Sequence, residues 1–453
     1  MTQTYMKNIS PDSLTGMIFA MEGIKRSVVM LNGPMGCKFY HSATAEFLSV
    51  HPIPMLPPDE NGKSIPANAS FMNSWFFRQY RVPCTYLDGY DYVYGSAEKL
   101  KEGLIYLKKS LDFDLLVIVN SPGASLIGDN LREIADALLK DTTVVTLESP
   151  GYSESFSAGY SRACLEMCRQ LKDRMHAEPE KKAGIKSINL LGLSIWQRYG
   201  EGDKKELIRL FEACGIRVNA CPCLGSSLEE ILRLPQADLN VVIYPEYGRE
   251  LAGYLKATYG TPVYICDGPP IGFAATEKML DQVCDCLGLS PAPALKEELY
   301  RARALSYVKI RDYYNASGLP KGVSFAIEGE ASRLYAYSRF FMEYLGMLPE
   351  CLQLEKSASD SEDAFFMEKI EKLLIDFGLE GRVKAHILES RAELVFANGN
   401  TIAQLSCQGK LFCGIEIAFP GLGYTDILPK THLGILGGLF LTEQVLNGVM
   451  SKL

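Results

Sequence analysis

One alternation constrains the fold of this 453-residue chain more than any other feature. Short apolar runs such as Ser27 to Leu31, Asp114 to Val119, Leu239 to Tyr244 and Val323 to Ile327 are followed by longer stretches with apolar residues three and four apart. A short, continuously apolar run is the signature of a strand buried on both faces, and the three-and-four spacing is that of an amphipathic helix. Strands alternating with helices at this interval make parallel sheets with helices on both faces.

The expected fold class is therefore α/β, with three tandem Rossmann-like domains, a number that suits the length. Polar or proline-rich breaks at Glu178 to Gly184 and Ser290 to Pro293 set the boundaries. They give a first domain over 1–180, a second over 181–295, and a long helix plus a third domain over 296–453. In the first domain the pattern predicts helices over Pro11 to Gly23, Phe39 to Val50, Ser96 to Leu111 and Ser125 to Leu139. In the third it predicts strands over Val323 to Ile327, Val383 to Ile387, Glu393 to Ala397 and Ile415 to Phe419. His51 to Ala67 carries five prolines and reads as a loop.

The chemistry starts where the first strand ends. Ser27 to Leu31 breaks at Asn32-Gly33-Pro34-Met35-Gly36, and the next residue is Cys37. Ligands of open α/β sheets bind beyond the carboxyl ends of strands. A thiol there is either a small packed hydrophobe or a ligand. A second thiol, Cys84, precedes Asp91-Tyr92-Val93-Tyr94-Gly95-Ser96. A third stretch runs Leu116-Val117-Ile118-Val119-Asn120-Ser121-Pro122-Gly123 and closes with Ile127-Gly128-Asp129-Asn130. A fourth is Leu147-Glu148-Ser149-Pro150-Gly151-Tyr152, followed by Ser155 and Gly159-Tyr160.

Composition excludes several classes. The net charge is −8, without a basic run suited to nucleic acid. No apolar run reaches the ~20 residues of a membrane span, and Leu433 to Leu441 reads instead as the start of a buried helix. The first twelve residues lack the apolar core of a signal peptide, so a cytoplasmic location is expected. Thirteen cysteines in such a compartment are thiols rather than disulfides. With five histidines, a histidine-rich metal site is not expected. No Gly-x-Gly-x-x-Gly follows a first strand and no Gly-Lys-Ser/Thr loop is present, so neither dinucleotide binding nor ATP hydrolysis is expected of this chain.

In their order and spacing the four stretches resemble the first domain of the nitrogenase component 1 superfamily. It includes both subunits of the molybdenum–iron protein, their cofactor-assembly scaffolds, the dark-operative chlorophyllide-type reductases and the nickel-sirohydrochlorin reductive cyclase. The resemblance extends over nearly the whole chain and is weaker after Tyr244. It implies a cluster at a subunit interface, with Cys37 and Cys84 at the first two of three ligand positions. Pro122 stands at the third, with Ser121 beside it, and proline has no side-chain donor. The departure speaks against an eight-iron cluster. Two thiolates from each of two chains, related by a two-fold axis, would instead surround one [4Fe–4S] cluster. A homodimer or a heterodimer with a related subunit would provide that axis.

The resemblance also implies a separate ATP-hydrolysing iron–sulfur reductase as electron donor. Tyr244 stands where a cofactor-anchoring cysteine would end its strand, and His432 lies one position from the histidine that completes the anchor. No iron–molybdenum cofactor is therefore expected, and His432 is read as a surface or packing residue. Ser155 reads as a helix cap. Cys164 and Cys168 share a helix face and read as core. Cys221 and Cys223 lie in a turn, either packed or facing an interdomain cleft, and Cys284 with Cys286 reads as packing. Glu246, Asp267 and Glu328 follow strands, either as proton donors or as solvated loop acids. The aromatic segment Phe71 to Tyr80 is either core or a wall for a flat conjugated substrate.

Together these features imply the catalytic component of a nitrogenase-like two-component reductase. Electrons would pass through the interface cluster to a substrate in the cleft between domains, with a tetrapyrrole as one candidate. A scaffold or carrier for metal-cluster assembly is the alternative, and a redox-silent structural paralogue is a third reading.

Overall fold

The computed structural model describes residues 11–38, 82–149, 154–176, 184–355, 357, 359–421, 423 and 426–450. The expected helix over Phe39 to Val50, the proline-rich loop and the aromatic segment lie outside the described residues. Among the described residues, eleven strands form three parallel sheets flanked by helices, so the α/β class and its three sheets hold. The chain divides into two compact units, Pro11–Ala177 with Ala220–Pro235, and Glu178–Asn219 with Gln236–Leu453.

The first unit carries the sheet β1 (Ser27–Asn32), β2 (Leu115–Asn120) and β3 (Thr143–Glu148), in the order β1-β2-β3. The register runs Ser27↔Leu115↔Thr143 to Asn32↔Asn120↔Glu148, so the three strands end level. One face packs Val28, Met30, Leu116 and Ile118 against Leu100, Leu104, Leu107, Leu131 and Ala135. Those residues come from helices Ala97–Ser110 and Leu131–Leu138. Helices Ser13–Glu22 and Phe156–Gln170 also touch closely. Gly16 and Gly159 permit this, because a Cβ on Gly159 would lie 1.9 Å from the Ser13 carbonyl oxygen.

The second unit holds two four-stranded sheets. One has the order β5-β4-β6-β7, from β4 (Lys186–Leu191), β5 (Ile216–Ala220), β6 (Leu239–Val242) and β7 (Val263–Ile265). The other has the order β11-β10-β8-β9, from β8 (Ser324–Gly329), β9 (Leu348–Leu354), β10 (Leu394–Asn398) and β11 (Cys413–Ala418). Helix Pro293–Ser317 opens this last part, and Gly434–Met450 closes it. The apolar run Leu433 to Leu441 thus begins a largely buried helix, as expected.

Two expectations need correction. The single helix over Ser125 to Leu139 is two, Pro122–Ser125 and Leu131–Leu138. Gly128, at φ +82°, breaks the chain between them, and Asn130 caps the second by accepting from the Glu133 N–H. The strand expected over Val383 to Ile387 is a lone bridge, Lys384 to Cys351, followed by a turn of 3₁₀ helix at Ile387–Glu389. The fourth strand is β9, which carries Pro349. Proline weakens a strand reading, but β9 is an edge strand, where a missing N–H leaves no central ladder broken.

Candidate metal-cluster site

The level strand ends of the first sheet build the site. Asn32 ends β1 and donates from Nδ2 to Asn120 Oδ1 at 2.8 Å and to Ser96 Oγ at 3.2 Å. Asn120 in turn donates to both oxygens of Glu148 at 2.9 Å. This buried amide ladder locks the three carboxyl ends together. Residues 82–87 are then drawn against the end of β1. Leu31 N donates to Pro83 O at 2.8 Å, Thr85 N to Leu31 O at 3.1 Å and Leu87 N to Gly33 O at 3.2 Å.

That pairing brings Cys84 beside the turn that carries Cys37. Cys84 is buried; its Sγ donates to Gly33 O at 3.0 Å and accepts from Tyr86 N at 3.4 Å. Cys37 sits in the 3₁₀ turn Met35–Lys38, where its N–H donates to Pro34 O at 3.2 Å. The Tyr92 ring lies on Gly123, at the end of β2. Burial first, and Cys37 and Cys84 after it, raise the phenol above its ordinary value. Ser121, fully buried, caps the short helix that follows β2 by accepting from Ala124 N at 3.2 Å, and its side chain lies against Gly33.

The donor set is thus two thiols with a phenol and a serine hydroxyl beside them. Among the described residues, no group of three or more Cys, His, Asp and Glu is gathered for a metal ion. Soft thiolates suit iron–sulfur chemistry. Two from one chain fit half of a four-thiolate set, and a second chain would have to bring the rest. No sequence motif points to the two hydroxyls, although Ser121 next to Pro122 marks the place.

The other sulfur and acid positions resolve differently. Ser155 caps its helix, accepting from Ala158 N at 3.3 Å. Cys164 and Cys168 are core residues, and Cys164 Sγ lies 3.2 Å from Cys223 Sγ. Cys221 and Cys223 are buried within the first unit. Burial pushes the Cys164 and Cys168 thiols up, which makes them unreactive. Cys284 is buried and Cys286 exposed.

Glu246 and Glu328 are not solvated loop acids, because both are buried. Glu328 accepts from Gln353 at 2.6 Å, Thr401 at 2.5 Å and Asn398 at 3.2 Å. Glu246 accepts from the Ser332 N–H and hydroxyl, both at 2.8 Å, and burial with Glu330 nearby raises its pKa to about 7. Asp267 is partly exposed and paired with Lys278 and Lys369.

Around Glu246 lies a buried polar set that the sequence did not reveal as one group. Tyr247 donates to Glu330, whose other oxygen pairs with Arg333 Nε at 3.3 Å, and the Arg333 guanidinium lies 5.7 Å from the Tyr244 ring centre. Asp203 accepts from Thr431 Oγ1 at 2.7 Å and from His432 N at 3.0 Å, and burial raises its pKa to about 6. His432 is buried rather than at the surface. Its Nδ1 meets the Tyr337 hydroxyl and its Nε2 meets Gln444 Oε1, both at 2.6 Å. Since Gln444 Oε1 only accepts, Nε2 carries the proton and Nδ1 accepts from Tyr337. Burial lowers the His432 pKa to about 4, so the ring is neutral.

The model of the family "Nitrogenase component 1 type Oxidoreductase" matches residues 13–450, and the chain belongs to that family. One of the subunits of light-independent protochlorophyllide reductase, from a Synechococcus species, is 32% identical over 279 residues, covering 59% of this chain and 51% of that protein. The protein of the same name from Methylobacterium radiotolerans is 31% identical over 221 residues, covering 48% and 41%. The chain thus matches about half the length of these curated relatives. The structure titled "Nitrogenase Cp1 at pH 6.5" superposes with a TM-score of 0.74 over 98% of this chain and 94% of that one; at 18% identity the likeness shows the shared fold.

Proposed function

We propose that this chain is the catalytic component of a nitrogenase-like two-component reductase. A separate ATP-hydrolysing iron–sulfur protein would supply its electrons. Cys37 and Cys84 would hold the chain's share of a [4Fe–4S] cluster at an interface with a second copy or a related subunit. When bound, such a cluster supplies one-electron transfer. The observation that carries the reading is that Cys84 lies against Gly33, at the head of the turn that carries Cys37, at the carboxyl edge of the first sheet. The three-domain division 1–180, 181–295 and 296–453 belongs to the same proposal.

A tetrapyrrole substrate is supported by the names of the relatives, which reduce protochlorophyllide. Reduction also requires protons, and Glu246, with its pKa raised to about 7, is partly protonated near neutral pH. The assembly-scaffold alternative loses ground for an iron–molybdenum cofactor. Tyr244 offers a phenol in place of a thiolate, and both His432 ring nitrogens are already hydrogen-bonded.

The test is iron and acid-labile sulfide after anaerobic purification of wild type, Cys37→Ala and Cys84→Ala. About four irons per pair of chains, lost in both variants, is the expected result. Iron-free wild type in a folded state would sink the electron-transfer reading.

A further inference from the structure

β8 ends at Gly329, and helix Ala331–Arg339 starts two residues later. In parallel sheets, ligands bind where the carboxyl end of a strand meets the start of a helix. Part of this helix start is already in use. Ser332 N and Oγ both donate to Glu246, which follows β6, at 2.8 Å. Arg333, the third residue of the same helix, is 2% exposed.

The surroundings of its guanidinium are defined edge by edge. Nε pairs with Glu330 Oε2 at 3.3 Å, longer than the ~2.7–2.9 Å usual for a charge-assisted hydrogen bond. The guanidinium carbon lies over the Tyr244 ring, 5.7 Å from its centre. Gly329 makes room for the stem, because a Cβ there would lie 3.0 Å from Arg333 Cδ. Nη1 and Nη2 are buried, and neither has a hydrogen-bond partner. The neighbouring acids are committed elsewhere. Glu330 Oε1 accepts from Tyr247, and both oxygens of Glu246 accept from Ser332. A buried cation whose donors go unmet is costly. The fork formed by Nη1 and Nη2 matches the two oxygens of a carboxylate.

We propose that Arg333 anchors a ligand site at the ends of β6 and β8, holding the carboxylate of a small organic molecule on Nη1 and Nη2. Glu330 stands beside the fork, so a singly charged carboxylate is favoured over a doubly charged phosphate. Tyr244, Glu246, Tyr247, Glu330 and Ser332 are all buried. The bound molecule is therefore enclosed by protein, and its exchange requires the strand ends to part. This site does not depend on the cluster reading, since Cys37 and Cys84 belong to the other compact unit.

The experiment is thermal unfolding of the full chain in increasing sodium acetate, against sodium chloride and sodium phosphate at matched ionic strength, after long incubation. Wild type, Arg333→Lys, Glu330→Gln and the exposed control Arg301→Gln are compared, with circular dichroism as the check on folding. Acetate is expected to raise the wild-type midpoint beyond chloride and to saturate, as a ligand of the folded state must. Arg301→Gln should behave as wild type. Arg333→Lys keeps the charge but loses the fork, and should weaken acetate about tenfold or more. Glu330→Gln removes the acid beside the fork and should bind acetate more tightly, which keeps the test open if Arg333→Lys does not fold. No saturable difference between acetate and chloride in folded wild type would overturn the site. Unchanged acetate binding in folded Arg333→Lys, or weaker binding in folded Glu330→Gln, would do the same. Phosphate binding more tightly than acetate would overturn the carboxylate assignment.

Discussion

Glu246 shows what burial does to a single acid. Its carboxyl is removed from water, and Glu330 adds a like charge, so the pKa rises from 4.5 to about 7 even though Ser332 donates twice. A raised carboxyl favours the folded state only while it is protonated. The sign follows from linkage: between about pH 4.5 and 7 the folded chain holds a proton that the unfolded chain has released, so stability falls as pH rises through that window. The fall is on the order of 3 kcal/mol for a shift of this size. Glu246→Gln should flatten that part of the stability profile, as read by urea unfolding at several pH values. An unchanged profile would mean that Glu246 does not titrate there. Asp203, raised from 3.8 to about 6, contributes a similar, somewhat smaller fall at lower pH that the variant leaves in place.

At the scale of elements, glycine can act in opposite directions. Gly159 lies where helices Ser13–Glu22 and Phe156–Gln170 touch, and an added Cβ would stand 1.9 Å from a backbone oxygen that cannot swing aside. Gly159→Ala must push the helices apart and should destabilise by about 1–3 kcal/mol or more. Gly253, in helix Pro245–Tyr259, has no neighbouring atom within 4 Å of an added Cβ. Gly253→Ala should stabilise by roughly 0.5–1 kcal/mol through helix propensity alone. Denaturant midpoints of the two variants, moving in opposite directions, would check both. The same elements show how far local pattern carries. β1 and β2 were legible because each is a short, mostly apolar run bounded by turn residues. β9 was not, because Pro349 and Glu350 interrupt it, and an edge position tolerates both.

For the whole molecule, two thiols per chain set an assembly requirement. If Cys37 and Cys84 provide half the ligands of a shared cluster, the loaded protein must carry a second chain at that edge. Sedimentation of the iron-loaded protein purified alone should give twice the 50.2 kDa chain mass for a homodimer. Loaded protein that sediments as a single chain would exclude the shared arrangement. The net charge of −8 predicts that duplex DNA at physiological salt is not retained, which a mobility-shift assay would check.

The sequence by itself determined the α/β class, the strands of the first sheet and the place of Cys37 just past the first of them. Each of these is written in short windows: apolar runs, glycine–proline breaks and a cysteine just past a strand. Tertiary structure alone decided which residues share a neighbourhood. Tyr92 and Ser121 lie 29 positions apart in sequence, and the level register of β1, β2 and β3 brings their surroundings to one edge. Glu246, Glu330 and Arg333 lie apart in the sequence, and folding removes them from water together. Position along the chain fixes which face a residue takes within its own element. Burial, and the proton affinity that follows from it, depend on what every other element places against that face.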